Sequence, residues 1–468
     1  MIADLKPYPA YRPAEGEWLG DVPAHWTVRR IKYIVQEVDS RSKTGEEQLL
    51  RVSQFTGVTQ RLRLEGQDGQ DTRAASLVGY KRVEPDDLVI NIMLAWNGSM
   101  GVSRFAGMAS PAYCVYRFNQ GALPWYFHHL FRSPAYKARI KAMSTGVVES
   151  RLRLYSDDLF RIESLLPPPY EQAAIVKFLD WANARLERTI RAKRRVIALL
   201  TEQKRAIIHR AVTHGLDPAV PLKPSDIPWL GEIPAHWEAR RIKQVTRILR
   251  GKFSHRPRND PAFYDGRYPF IQTGAVAQAD KFIDNYNQTL NDKGLAVSKM
   301  FPSGTLVMTI AANIGEVAVL TFDACFPDSI VGFVPSVKVD RDYLYLVFGS
   351  MKAEFIAEAP VNTQGNLNVE RIGVMGIPLP SLVEQKLIAK SVEVETAAFD
   401  TGIGRLEREI DFLREYRTRL VADVVTGKLD VRQAAARLPQ DAVNAALEPE
   451  ALDPMDASDA EAEAELEA

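Results

Sequence analysis

The chain has 468 residues, 46 % of them hydrophobic and 25 % charged, a composition that fits two to four packed domains. No apolar run approaches the roughly 20 residues of a membrane span, the N-terminal MIADLKPYPAYRP lacks the apolar centre of a signal peptide, and two cysteines argue for a reducing, cytoplasmic setting over a disulfide framework. The formal net charge of zero hides an asymmetry: residues 438–468 hold ten of the 59 acidic side chains and none of the 59 basic ones, so the rest of the chain is basic by ten, which permits a nucleic-acid partner.

In chain order, residues 1–17 read as an N-terminal extension. At 18–32 stands WLGDVPAHWTVRRIK, and at 229–243 stands WLGEIPAHWEARRIK, identical at 11 of 15 positions. Internal repeats are read before anything else, and a period near 211 means a duplicated domain rather than a solenoid. Between the two copies, short apolar runs alternate with Gly/Asn turns, as in Pro85-Asp86-Asp87-Leu88-Val89-Ile90 and its counterpart Pro302-Ser303-Gly304-Thr305-Leu306-Val307-Met308. With short helices over 124–143 and 341–357, each copy is expected to be an α+β domain with an antiparallel or mixed sheet. Cys114 and Cys325 occupy matching points of the two copies and are expected as small buried residues rather than a pair.

Each domain leads into a long helix. Pro167, Pro168 and Pro169 precede YEQAAIVKFLDWANARLERTIRAKRRVIALLTEQKRAIIHRAVT, whose apolar residues Ile175, Leu179, Ala182, Leu186, Ile190, Ile197, Leu200 and Ile207 step by threes and fours, with a polar lapse at Lys193. Some 40 residues of helix span about 60 Å and need a partner along their length. The partner is 383–430, after Pro378-Leu379-Pro380, with a stripe of Val392, Phe399, Ile403, Leu406, Ile410, Leu413, Leu420 and Val424. The Glu-Gln of 171–172 recurs at 384–385 and the Val-Thr of 212–213 at 425–426.

This order of motifs resembles the specificity (S) subunit of type I restriction–modification enzymes. The resemblance rests on LLPPPYEQAAIVKFLD and IPLPSLVEQKLIAKSVE, on VTHGLD and VTGKLD at the helix ends, and on the stretch 268–333, which is similar to one common type of target-recognition domain. It implies a first target-recognition domain (18–166), a central helix (167–215), a linker (216–228), a second target-recognition domain (229–377) and a distal helix (378–432); the N-terminal extension (1–17) and an acidic tail (433–468), expected to be disordered from its Ala/Glu-rich composition, depart from the family pattern. The two helices are expected to lie antiparallel as a coiled coil and to act as a ruler between two half-sites. The implied partners are double-stranded DNA, two methyltransferase (M) subunits and two restriction (R) subunits, with S-adenosylmethionine, ATP and Mg²⁺ used in those subunits and none in this chain.

Candidate DNA-binding residues follow from side-chain chemistry. In the first domain they are Gln54, Thr59, Gln60, Arg61 and Arg63 in QFTGVTQRLRLEGQDGQD, and Arg151 and Arg153 in an alternating Ser-Arg-Leu-Arg run. In the second they are the dense set Arg250, Lys252, His255, Arg256 and Arg258, suited to phosphates, and the Gly-flanked Gln272, Thr273, Asn362, Gln364 and Asn366. Each set also reads as a solvated loop. Candidates for docking partner subunits are Glu171, Gln172, Arg188, Arg191, Arg194, Arg195, Glu384 and Gln385. His25 and His236, in Pro-Ala-His-Trp, have no second ligand type spaced with them and read as structural corners rather than zinc ligands.

No catalytic motif is present: there is no GxxxxGK[ST] loop, and Pro167-Pro168-Pro169-Tyr170 lacks the Asn or Asp that an amino-methylase sets ahead of Pro-Pro-aromatic. The expectation is therefore a non-catalytic subunit. A self-contained DNA-modifying enzyme and a coiled-coil scaffold without a nucleic-acid role remain the alternatives.

Overall fold

The computed structural model describes residues 5–61, 76–148, 152–255, 258–311, 313–359 and 367–439. The chain forms two compact units, one from 1–193 and 408–468, the other from 194–407. Each long helix is shared between them: the central helix runs Pro169–His214 and the distal helix Leu382–Val425. Each unit thus contains one domain, the start of the helix that follows it and the end of the other helix.

In the first unit, strands Val35–Glu37, Tyr113–Phe118, Leu88–Asn91 and Met100–Val102 form an antiparallel sheet in that order. In the second, Thr246–Arg250, Ile330–Pro335, Leu306–Thr309 and Val317–Leu320 repeat the order, and Phe282–Ile283 adds a parallel edge strand, so this sheet is mixed. The central strands Leu88–Asn91 and Leu306–Thr309 are buried at every position, because both faces are covered. Period-two alternation then feeds two cores. Leu88 and Ile90 join the core that holds Ile175, Phe178 and Leu179 of the central helix, while Val89 joins a separate core with Leu50, Val52 and Val58. In the second unit Leu306 and Met308 pack with Ile388 and Val392 of the distal helix, while Val307 packs with Ile271, Val276 and Ile283. One face of each sheet therefore holds the helices and the other holds the insert that differs between the copies.

The repeated motifs meet where domain joins helix. Thr27–Arg30 pairs with Glu163–Leu166, the strand before the central helix, and Glu238–Arg241 pairs with Gly376–Leu379, the strand before the distal one. Glu171, in the first helical turn, is fully buried and accepts from Trp26 Nε1 (2.8 Å), Tyr8 Oη (3.2 Å) and Arg432 Nη1 (3.3 Å), with His25 Nε2 at 2.6 Å. Glu384 has the same partners from the second copy, Trp237 Nε1 at 2.9 Å and His236 Nε2 at 3.1 Å, but keeps 26 % of its side chain exposed. The glutamines are matched as closely. Gln172 accepts from the Leu123 amide and donates to the Gly121 and Pro167 carbonyls; Gln385 accepts from the Asp340 amide and donates to Lys338 and Pro380. Both glutamines are fully buried, so Glu171, Gln172 and Gln385 are spent inside the chain, which corrects the expectation that they dock a partner.

The helix ends close the same joints. Gly215 and Gly427, both at φ 78°, end the helices in the left-handed region. Gly427 also lies so close to the first domain that a Cβ there would sit 2.6 Å from Pro23 and 3.0 Å from Trp26. The segment read as an N-terminal extension belongs to the first unit. Tyr11–Pro13 pairs with Asp21–Pro23, as Leu222–Pro224 pairs with Glu232–Pro234 in the second unit, and Tyr8 is buried with its ring under the Arg432 guanidinium at 5.0 Å. Beyond the distal helix, Arg432–Ala436 forms a further turn of helix, and Ala434, Ala435 and Leu438 reach the core. Residues 440–468 of the acidic tail lie outside the described residues.

Between the helices, the polar lapse at Lys193 is filled by an ion pair with Glu409 at 2.5 Å; Glu187 pairs with Arg417 in the same unit, and Lys204 with Asp400 in the other. Partner numbers fall as helix numbers rise, so the helices pack antiparallel. Replacing Glu171 by Ala takes the buried carboxylate away from Trp26, Tyr8, His25, Arg432 and Tyr170 and is expected to lower stability by about 3–5 kcal/mol. Glu384→Ala, at the half-exposed copy, is expected to cost about 1–2 kcal/mol. Urea unfolding of the full chain, followed by tryptophan fluorescence, measures both, and equal losses would contradict the asymmetry.

Candidate nucleic-acid interface

In the first unit the insert begins as a β-hairpin, Leu50–Ser53 paired with Gly57–Gln60, and its tip is 54–56. Leu50, Val52 and Val58 point into the core beneath the sheet, while Gln54 and Thr59 are half-exposed and Gln60 and Arg61 exposed. Gly57 has φ 75°, and a Cβ there would sit 3.1 Å from His128 Cε1, so the turn requires glycine on both counts. The tip is tied down by Arg132. Its Nη2 donates to the Gln54 and Phe55 carbonyls at 3.0 and 2.6 Å, and its Nη1 to those of Ser53, Gly98 and Met100 at 3.2, 3.3 and 2.6 Å. Five carbonyls share this guanidinium, and burial pushes its pKa down to about 10. Phe55, at the tip, is 61 % exposed. Sequence reading singled out neither Arg132 nor Phe55: a side chain that works through backbone carbonyls carries no motif.

Arg153 is exposed, and its backbone bridges Thr145. Arg63 and Arg151 lie outside the described residues.

In the second unit the basic set lies beside an aromatic cluster of Phe253, Phe263, Tyr264 and Phe270. Arg250 Nε donates to the Asp328 carbonyl at 2.9 Å and Arg258 Nη2 pairs with the Asp328 carboxylate at 2.5 Å, so one aspartate gathers both arginines. His255 stacks on Phe263 at 3.9 Å and meets Asp260 at 3.1 Å. Lys252 is exposed. Gln272 bonds Gln288 at 2.7 Å, and Thr273 opens the short helix Thr273–Gln278. Arg256, Asn362, Gln364 and Asn366 lie outside the described residues. On the central helix Arg188 and Arg195 are exposed, and Arg191 and Arg194 are half-buried. His25 and His236 serve the glutamates of the joints, and among the described residues no group of three metal-ligating side chains is assembled.

Residues 234–402 match the type I restriction modification DNA specificity domain, which is the second domain and the start of its helix. The chain is 24 % identical over 439 residues to the MjaX type I restriction enzyme specificity subunit of Methanocaldococcus jannaschii, covering 88 % of this chain and 96 % of that one. It is 22 % identical over 378 residues to the MjaVIII specificity subunit of the same organism, covering 75 % and 83 %. Among solved structures, a chain described in the context of complex assembly and conformational transition of a type I restriction–modification system aligns with a TM-score of 0.56 at 16 % identity, over 86 % of this chain and 98 % of the other. The second domain thus matches the type I DNA specificity domain, and most of the chain is similar to type I specificity subunits. The matched structure shares the fold, and the duplicated joints extend the family pattern to the first domain, outside the matched 234–402.

A buried histidine lies beneath the first insert, its ring against the Gly57 turn. His128 is buried with Nδ1 accepting from the Val102 amide at 3.1 Å; burial first, then the charge of Arg132, holds its pKa well below the usual histidine value. The unfolded chain takes up a proton below about pH 6.5 that the folded chain refuses, so stability falls with falling pH by up to about 1.4 kcal/mol per unit. His128→Asn, which keeps an acceptor near Nδ1, is expected to flatten this loss; unfolding of both proteins between pH 7 and pH 5 measures it, and parallel pH curves would contradict the assignment.

Proposed function

We propose that this chain reads a split, asymmetric DNA site as the non-catalytic specificity subunit of a type I restriction–modification complex. The observation that carries the reading is the contrast within each domain. The face toward the helices is the same in both copies, down to the Trp–Glu and Gln–carbonyl bonds, while the opposite face bears a β-hairpin in one copy and an aromatic, arginine-rich insert in the other. Two different surfaces on one frame suit two different half-sites.

In this reading the recognition domains are 18–166 and 229–377, phosphates meet the basic side chains led by Lys252, and base edges meet the polar insert residues. The helices supply the ruler between half-sites and the docking surface for two M and two R subunits, with Arg188 and Arg195 among the exposed residues available to them. S-adenosylmethionine, ATP and Mg²⁺ belong to those partners, and the complex works in the cytoplasm. No described helix is long and apolar enough to cross a membrane.

The test is a genome-wide map of adenine methylation in cells carrying this chain with its neighbouring methylase, against cells lacking this chain alone. The expected result is loss of a single two-part, asymmetric motif. A map that does not change would overturn the reading.

A further inference from the structure

The first domain's insert differs from an ordinary solvated loop in two respects. Its tip carries a large aromatic ring, Phe55, 61 % exposed, where burial would stabilise the fold. A lone exposed aromatic needs no explanation. This one, however, sits on a backbone held by three successive carbonyl bonds, at Ser53, Gln54 and Phe55, to a guanidinium that also grips Gly98 and Met100 of the neighbouring turn. Arg132 extends from the C-terminal end of the helix Pro124–Phe131, whose Tyr126, Phe127, Leu130 and Phe131 are buried, so the clamp is rooted in the core. On the hairpin's inner face Val52 and Val58 pair across the strands and anchor it to the sheet. A tip so held loses little conformational freedom on binding.

The element has the dimensions of a known kind of reader. A B-DNA major groove, about 12 Å wide, admits a two-stranded β-ribbon, and within it an apolar side chain recognises the thymine methyl group. The second unit has no equivalent hairpin at this point among its described residues; there Tyr264–Pro269 pairs with Thr289–Leu290 instead. The device belongs to one half-site only.

We propose that the 50–60 hairpin enters the major groove of one half-site as a preformed β-ribbon, with Phe55 at its tip as a specificity-determining residue and Arg132 as the residue that positions it. This rests on the DNA-reading function proposed above and assigns to the first domain the contact that distinguishes its half-site. The chemistry recognised is a thymine methyl, flanked by groups that Gln54 and Thr59 can bond. Arg132 acts through the backbone of the tip.

The experiment is the methylation map in cells carrying the full chain and its methylase, with Phe55→Ala, Phe55→Tyr and Arg132→Lys compared with the unaltered chain. Phe55 is exposed, so its substitution leaves the core intact. Phe55→Ala is expected to relax one half of the motif at an A·T position, with methylation at substituted sites rising about tenfold, while the other half stays unchanged. Phe55→Tyr is expected to keep the unaltered motif, and Arg132→Lys, which cannot span five carbonyls, to relax the same half as Phe55→Ala. An unchanged motif with Phe55→Ala would overturn the proposal, as would loss of both halves together, the mark of a merely structural role. If the unaltered chain supports no two-part motif at all, the function reading itself fails and this inference falls with it.

Discussion

A glutamate at the start of each long helix, meeting the indole N–H of a Pro-Ala-His-Trp motif from the domain before it, is the contact on which the rest of the molecule depends. The position favours a carboxylate, because the first helical turn presents unpaired amides and the positive end of the helix dipole. Burying that carboxylate is costly unless donors surround it. Trp26, His25, Tyr8 and Arg432 surround Glu171, and Trp237 and His236 meet Glu384. Change to one partner strands the others, which is a physical reason for the motif to be duplicated with so few differences. Close packing adds to this: Gly427, at the far end of the other helix, lies against Trp26, so a joint fixes the start of one helix and the end of its antiparallel neighbour together.

The sheets separate this fixed joint from the part that differs. Alternate residues of one strand serve the two sides, Leu88 and Ile90 toward the helices and Val89 toward the hairpin, with Leu306, Met308 and Val307 repeating the division. The insert on the outer face rests on its own small core, so it can be exchanged without disturbing the buried carboxylate. The two inserts meet their electrostatic needs differently. The first satisfies a guanidinium with backbone carbonyls and so stiffens a turn, while the second gathers two arginines on Asp328 above an aromatic cluster.

The frame was legible in the sequence because it is periodic and duplicated: the helical stripes, the proline leads and the matched motifs each carry a repeat spacing that survives without a structure. Direction was not legible. Glu171, Gln172 and Gln385 look like surface residues in a charged helix, and only the fold reveals that they face the chain's own tryptophan and loop carbonyls. Residues 1–17 read as an extension because the pairing of Tyr11–Pro13 with Asp21–Pro23, and of Tyr8 with the distal Glu171 and Arg432, leaves no local pattern. Arg132 escaped for the same reason, since its partners are carbonyls, which every residue has. The basic segment at 250–258 was visible as charge density, but its pairing to Asp328, some 70 positions away, was not.

A double-mutant cycle on Trp237→Phe and Glu384→Gln, read by unfolding of the full chain, tests the central claim most directly: Glu384→Gln keeps shape and removes the charge, Trp237→Phe removes the indole donor, and the packing that the smaller ring loses in the core cancels in the cycle. If the indole–carboxylate contact holds the domain on its helix, the two substitutions are coupled by about 1–1.5 kcal/mol, as for a hydrogen bond to a partly exposed carboxylate. Additivity within roughly 0.5 kcal/mol would contradict the account and leave the joint to apolar packing alone.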